Sequence, residues 1–216
     1  MTVSLALVHA VVNIDVLVVS VLVEYLAKRI SEAGDVQVYR AGLQEVAKSL
    51  MTLAQMTKKF LKINATLISE AVFKLPEKMS LRDFPIPTRL SLLELLQCLL
   101  DLYLPALKRS MGPKFVDGVV AMASLEKSPS CLAILFKLFE KLGLEWDPSP
   151  SECEEMFGSF FRYFPITPSS ATNLPANDLK FLLQNCFKSN DNYAEFAFDA
   201  ILEKLDSDVS ANVKVY

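Results

Sequence analysis

Histidine is nearly absent from this chain: His9 is the only one in 216 residues. A Ser/His/Asp or Cys/His nucleophile has no other imidazole to draw on. His9 itself lies in an apolar stretch, where a core or interface role is expected. Glycine is scarce, six residues or about 3% against a usual ~7%. No Gly-x-Gly, phosphate-loop, His-Glu-x-x-His or EF-hand pattern occurs. The four cysteines, Cys98, Cys131, Cys153 and Cys186, form no Cys-x-x-Cys pair. With one histidine they make no ordinary zinc set, and they suit reduced, buried thiols of the cytosol or nucleus. A basic excess is missing too: 22 Lys and Arg stand against 25 Asp and Glu. Direct nucleic-acid binding is therefore not expected. The expectation is a non-enzyme without catalytic, cofactor-binding or metal-ligating residues.

What the chain has is apolar bulk. The residues AVILMFWYC make up 52%, enough for an extensive core. Low glycine with abundant Leu, Ala, Lys and Glu favours helix, and the spacing reads as helix after helix. Asp15 is placed to cap a helix from Val16 to about Ser31, with Leu22, Tyr25, Leu26 and Ile30 as its stripe. Val36–Met56 carries Leu43, Val46, Leu50, Leu53 and Ala54 at helical spacing. Asn64 opens a third helix, which is predicted to end before Pro76. A loop with Pro85 and Pro87 follows, then an apolar helix from Thr88 through Leu104 that Pro105 breaks or kinks.

Pro113 leads into Phe115–Leu125. Ser128-Pro129 starts the next helix, which carries Leu132, Leu135, Phe136, Phe139 and Leu142 and stops at Gly143. Ser151–Glu154 reads as a capping box opening Met156–Tyr163. Pro165–Pro175 reads as a loop, Asn177 as the cap of Asp178–Phe187, and Asn192 precedes Tyr193–Leu205. That last helix presents Phe196, Ala197, Ala200, Ile201 and Leu205. Ser210–Val215 look like the first turn of one more helix. Glu152, Glu154 and Glu155 are explained by a helix start, and Trp146 with Phe157, Phe160, Phe161, Tyr163 and Phe164 by a core.

Alternate helices begin near residues 15, 63, 114, 151 and 193, in steps of about 48, 51, 37 and 42; armadillo and HEAT units run about 40–47. The predicted fold is all-α, an α-α superhelix (an ARM/HEAT-type solenoid) of about four to five helix pairs, with an irregular bundle as the competitor. Residues 1–216 are expected to be a single HEAT-like domain, the N-terminal part of a longer array, because neither end carries a polar capping helix. The Val-rich start, Val11–Val23, also suits a strand, but no partner strand follows. Leu5–Val23 allows a second reading, a membrane-associated helical protein anchored there. His9, Asn13 and Asp15 near its middle argue instead for short buried helices, since a central Asp costs about 2.5–3.5 kcal/mol on insertion.

One block is more specific. Phe160-Phe161-Arg162-Tyr163-Phe164-Pro165-Ile166-Thr167 is followed by a Pro-containing loop and Asn177-Asp178-Leu179. Tyr193-Ala194-Glu195-Phe196 and Leu202-Glu203-Lys204-Leu205-Asp206-Ser207 continue it. This block resembles the MMS-nineteen family, and the paired apolar pattern from Val21 through Leu50 is similar to that family's N-terminal domain. The chain departs where Thr167-Pro168-Ser169-Ser170 replaces an aromatic and an Asp-Pro pair, and where Asp199 replaces a common proline. The resemblance implies a non-catalytic scaffold of cytosolic iron–sulfur protein assembly, in nucleus and cytoplasm. Its implied partners are assembly targeting factors and iron–sulfur client proteins, helicases and polymerases of DNA repair, replication and transcription. In such a protein the cluster is cargo and no resident cofactor is implied.

Overall fold

A computed structural model describes residues 16–57, 63–124, 126–166 and 176–213. Among them are nine α-helices and no strand. They are α1 Val16–Glu32, α2 Gln37–Thr57, α3 Ala65–Lys78, α4 Ile86–Met111, α5 Pro113–Ala123, α6 Pro129–Lys141, α7 Pro150–Phe161, α8 Ala176–Lys188 and α9 Tyr193–Val213. The Val-rich start is helical from Val16 onward; His9, Asn13 and Asp15 lie outside the described residues.

Sequence neighbours pair, α2 and α3 excepted, and each helix also packs against the helix two positions on. α1, α3, α5, α7 and α9 stack in one layer, and α2, α4, α6 and α8 in the other. This i to i+2 stacking defines the α-α superhelix and separates it from an irregular bundle. The five first-layer helices start at 16, 65, 113, 150 and 193, within two residues of the periodic starts read from sequence. The core lies between the layers. Leu43, Val46, Leu50, Leu53 and Ala54 of α2 are all buried, as are Leu132, Leu135, Phe136 and Phe139 of α6 and Leu142 just after it.

Several helix ends differ from the sequence-based prediction, each for a local reason. α3 runs through Pro76 to Lys78. The ring removes one N–H near the helix end and leaves a helical φ, and the next backbone bond, Met79 N–H to the Leu75 carbonyl at 3.1 Å, still forms. α4 begins at Ile86 with Pro85 as its cap residue, because prolines in a first turn lose only N–H groups that lack helical partners. The kink expected at Pro105 is present two residues earlier, at Tyr103 (φ −129°, ψ 20°), and the helix goes on to Met111.

The capping box is built from Ser149 instead of Ser151. Ser149 Oγ accepts from the Glu152 N–H at 3.3 Å, and Glu152 Oε2 accepts from the Ser149 N–H at 2.8 Å. Gly143 does not end α6 directly; a π turn, Leu142–Trp146, follows and closes at Asp147 with φ 60°. Asn177 stands inside the first turn of α8. The backbone of α9 is continuous to Val213, so Ser210 starts no separate helix.

Two side chains leave their predicted stripes. Tyr25 is 54% exposed, and Val19, Val23, Leu26, Ala27 and Ile30 form the buried face of α1. Ile201 is 39% exposed, off the packed face of α9. Within Leu5–Val23, the described end contributes Val19 and Val23 to the core. Among the described helices, α4 alone is long and apolar enough to cross a membrane by length and composition, and half of that stretch is buried inside the protein.

Candidate interaction surface

The four thiols sit in four different helices, all buried and unbridged. Burial is the main cause that raises each above the ordinary thiol value of 9.0. Cys186 is the most strongly raised, and its Sγ lies 3.1 Å from the Phe136 carbonyl. Protonated, separated thiols are packing groups. Among the described residues no three His, Cys, Asp or Glu side chains gather where they could hold a metal ion.

The other sequence candidates resolve similarly. Glu152 is used in the Ser149 cap, while Glu154 and Glu155 face solvent. Trp146 is buried and stacks on Phe115, ring centroids 5.2 Å apart. Phe157, Phe160 and Phe161 join Phe187, Tyr193 and Phe196 in an aromatic cluster between α7, α8 and α9. None of these rings forms an exposed stacking platform.

The surface itself is grooved. A trough with a volume of about 590 Å³ separates α3 from α5, floored by Phe73, Pro76 and Met111. A second, of about 480 Å³, separates α1 from α3. Glu70 and Lys74 of α3 line both. On the second layer a hollow of about 420 Å³ is edged by Met51, Gln55, Glu94 and Asp101. These are open, mixed-charge troughs of the kind that adjacent helices of a solenoid leave between them.

Polar joints hold the troughs in place. Lys78 of α3 pairs with Asp35 after α1 and reaches the Ser31 carbonyl. Arg40 donates to the Ala33 and Gly34 carbonyls, at 3.1 and 2.6 Å, and so closes the end of α1. Lys141 of α6 meets Asp101 of α4 at 2.7 Å. The Asp101 carboxylate and the neighbouring Glu145 raise the Lys141 pKa, against the opposing effect of burial.

Deepest is the joint at Glu126. Its Oε1 accepts from the N–H groups of Lys127 and Ser128, both at 2.8 Å, and from Arg89 at 3.2 Å. Tyr163, at the end of α7, donates its hydroxyl toward the carbonyls of Ala123 and Glu126 at 3.1 and 3.0 Å. Glu126 thus caps α6, a task the sequence reading assigned to the Ser128 hydroxyl, which makes no capping bond. A carboxylate three residues before a proline-started helix was the signal that could have been read.

The family described as Dos2-interacting transcription regulator of RNA-Pol-II, the MMS19 N-terminal family, matches residues 8–215. The DNA repair/transcription protein mms19 of Schizosaccharomyces pombe is 30% identical over 123 residues, 55% of this chain and 12% of the relative. An MMS19 nucleotide excision repair protein homolog of Arabidopsis thaliana is 32% identical over 123 residues, 53% of this chain and 11% of the relative. The Homo sapiens homolog is 29% identical over 106 residues, 47% and 10%. The matched part is therefore only about a tenth of each relative's length. No solved structure matches. With the family's pattern running along almost the whole of a two-layer helical stack, this chain belongs to the MMS19 N-terminal family.

Proposed function

We propose that this chain is a non-catalytic scaffold segment of cytosolic iron–sulfur protein assembly, serving proteins of DNA repair and transcription in nucleus and cytoplasm. Family membership carries this reading, and the printed names of the relatives supply its repair and transcription setting. The structure agrees in kind. A stacked helical array offers long ridges and open troughs for large partners. Its described thiols are buried apart from one another, which suits a protein that handles clusters only as cargo on others. Single-domain organisation within a longer array, and the lack of direct contact with nucleic acid or membrane, belong to the same proposal.

The test is affinity purification of the tagged chain from cells, with a full-length homologue run in parallel. Assembly targeting factors and iron–sulfur helicases or polymerases are expected in both eluates. Their recovery with the homologue and complete absence with this chain would remove the assembly role from this segment.

A further inference from the structure

The hollow on the second layer lies inside the stack. α4 forms its floor, and α2 and α6 flank it through Met51, Gln55 and Ile134. Both flanking helices are in place, so helix pairs added at either end of the array leave it open. Glu94, Gln97 and Asp101 share the outer face of α4, at steps of three and four residues.

The two carboxylates of that face differ. Asp101 holds a cation, with Lys141 Nζ of α6 at 2.7 Å. Glu94 has no hydrogen bond or ion pair among the described residues. The difference comes from α6. Glu94 precedes Asp101 by seven residues and Ile134 precedes Lys141 by seven, two turns or about 10.5 Å along each helix. α4 and α6 are alternate members of the stack and run in the same direction. In that register the side chain opposite Glu94 is Ile134, which lines the hollow with it. An apolar residue therefore stands where a second lysine would have supplied the cation.

The other charges nearby have places of their own. Lys48 of α2 lies 3.4 Å from Glu45, and Lys141 also reaches Glu145 at 3.6 Å. Glu140 is on the other flank of α6, close enough to act on Cys186 of α8. Lys137 occupies the exposed ridge of α6, outside the lining of the hollow, and forms no ion pair with Glu94.

We propose that this hollow receives one arginine side chain from an extended segment of a partner protein. Its guanidinium lies against the Glu94 carboxylate, with the Gln97 amide oxygen as a further acceptor, and its methylene stem lies along Met51 and Ile134. Arginine suits the place better than lysine. Its planar fork donates two parallel bonds to a carboxylate, and its weakly hydrated faces tolerate apolar walls. A volume of about 420 Å³ admits one long side chain and excludes a helix. Lys141 on Asp101 is the internal precedent, a cation from beside α4 held on the same helix face. One charged contact and a short apolar stem give weak binding, with a Kd of about 1 mM.

The probe is the capped tripeptide leucyl-arginyl-leucine, titrated into the isotope-labelled 216-residue chain and followed by NMR. Saturable shifts are expected at Met51, Gln97, Cys98 and Ile134. The citrulline analogue keeps the shape without the charge and should bind at least about tenfold more weakly. Glu94→Gln should cause the same loss for the arginine peptide. Ile134→Lys should also remove binding, because its amine takes Glu94 as Lys141 takes Asp101. Both positions are partly exposed, and circular dichroism checks the fold of the variants. The citrulline comparison needs no variant, so it decides even where one fails to fold. No saturable shift at these residues up to about 10 mM peptide overturns the proposal. So does equal binding of the citrulline analogue, or undiminished binding by either folded variant. The scaffold reading is tested separately, by the purification described above.

Discussion

The Arg89 guanidinium of α4 lies 3.0 Å from the Glu126 carboxylate, with the two side chains only 12% and 5% exposed. The contact ties the start of α4 to the turn between α5 and α6. Arg89 also donates to the Phe84 carbonyl at 3.0 Å. Removing one member of a buried pair leaves the other charged, desolvated and uncompensated. Arg89→Met or Glu126→Leu alone is expected to cost about 3–5 kcal/mol. The double variant should cost less than the sum of the two, because no orphan charge remains. Urea unfolding of the three variants measures both effects.

Gly118 of α5 faces the Phe73 ring of α3 so closely that an added Cβ would overlap it. Phe73 is itself held edge-on against Phe115, centroids 5.4 Å apart. Gly118→Ala is therefore expected to destabilise by about 1–3 kcal/mol through overpacking. Gly158 in α7 has open space at its Cβ, and Gly158→Ala should stabilise by about 0.5–1 kcal/mol from helix propensity. The opposite signs of these two Gly-to-Ala changes, read as Tm shifts, check the packing of α3 on α5.

The identity of the α7 cap gives a clean comparison between neighbouring serines. Ser149→Ala breaks the reciprocal cap with Glu152 and should cost about 1 kcal/mol. Ser151→Ala, at an exposed position inside the first turn, should stay within about 0.5 kcal/mol of the parent. Equal effects in thermal melts would return the cap assignment to doubt.

Stability should fall on the alkaline side. Burial raises all four thiols above 9.0 and Tyr163 and Tyr193 above 10.0. As pH rises past those ordinary values, the unfolded chain loses protons that the folded chain keeps. Deprotonation therefore favours unfolding, by up to about 1.4 kcal/mol per group and pH unit. Folding free energy is expected to be undiminished by these groups below about pH 8 and to decline from about pH 9 upward. Cys186→Ala, although it costs some packing, should make that decline shallower in urea titrations at pH 8, 9 and 10.

The fold was legible because its signal is repeated. Starts such as Pro113, Ser128-Pro129 and Asn192-Tyr193 each mark a helix locally, and their recurrence carries the two-layer stack. Single helix ends were less legible. Pro76 read as a stop, yet it lies within a helix, where its ring removes only one backbone donor near the end; Pro105 read as a break or kink, and the kink falls just before it, at Tyr103. Tyr25 and Ile201 fit an apolar stripe by spacing. Only their neighbours decide that Tyr25 instead receives a 2.9 Å hydrogen bond from Arg29 at the surface, and that Ile201 joins Phe198 and Leu202 outside the packed face of α9.

Composition and period alone determined that this chain is helical, repetitive and poor in reactive side chains, because helix formation and amphipathic spacing are properties of short stretches of sequence. Tertiary structure decided which carboxylate caps α6, which glycine must stay bare beneath an aromatic ring, and which apolar residues remain outside. Those outcomes depend on groups about forty residues apart, such as Arg89 with Glu126 and Phe73 with Gly118. Their distances are set by how one helix pair seats on the next, which no local pattern records.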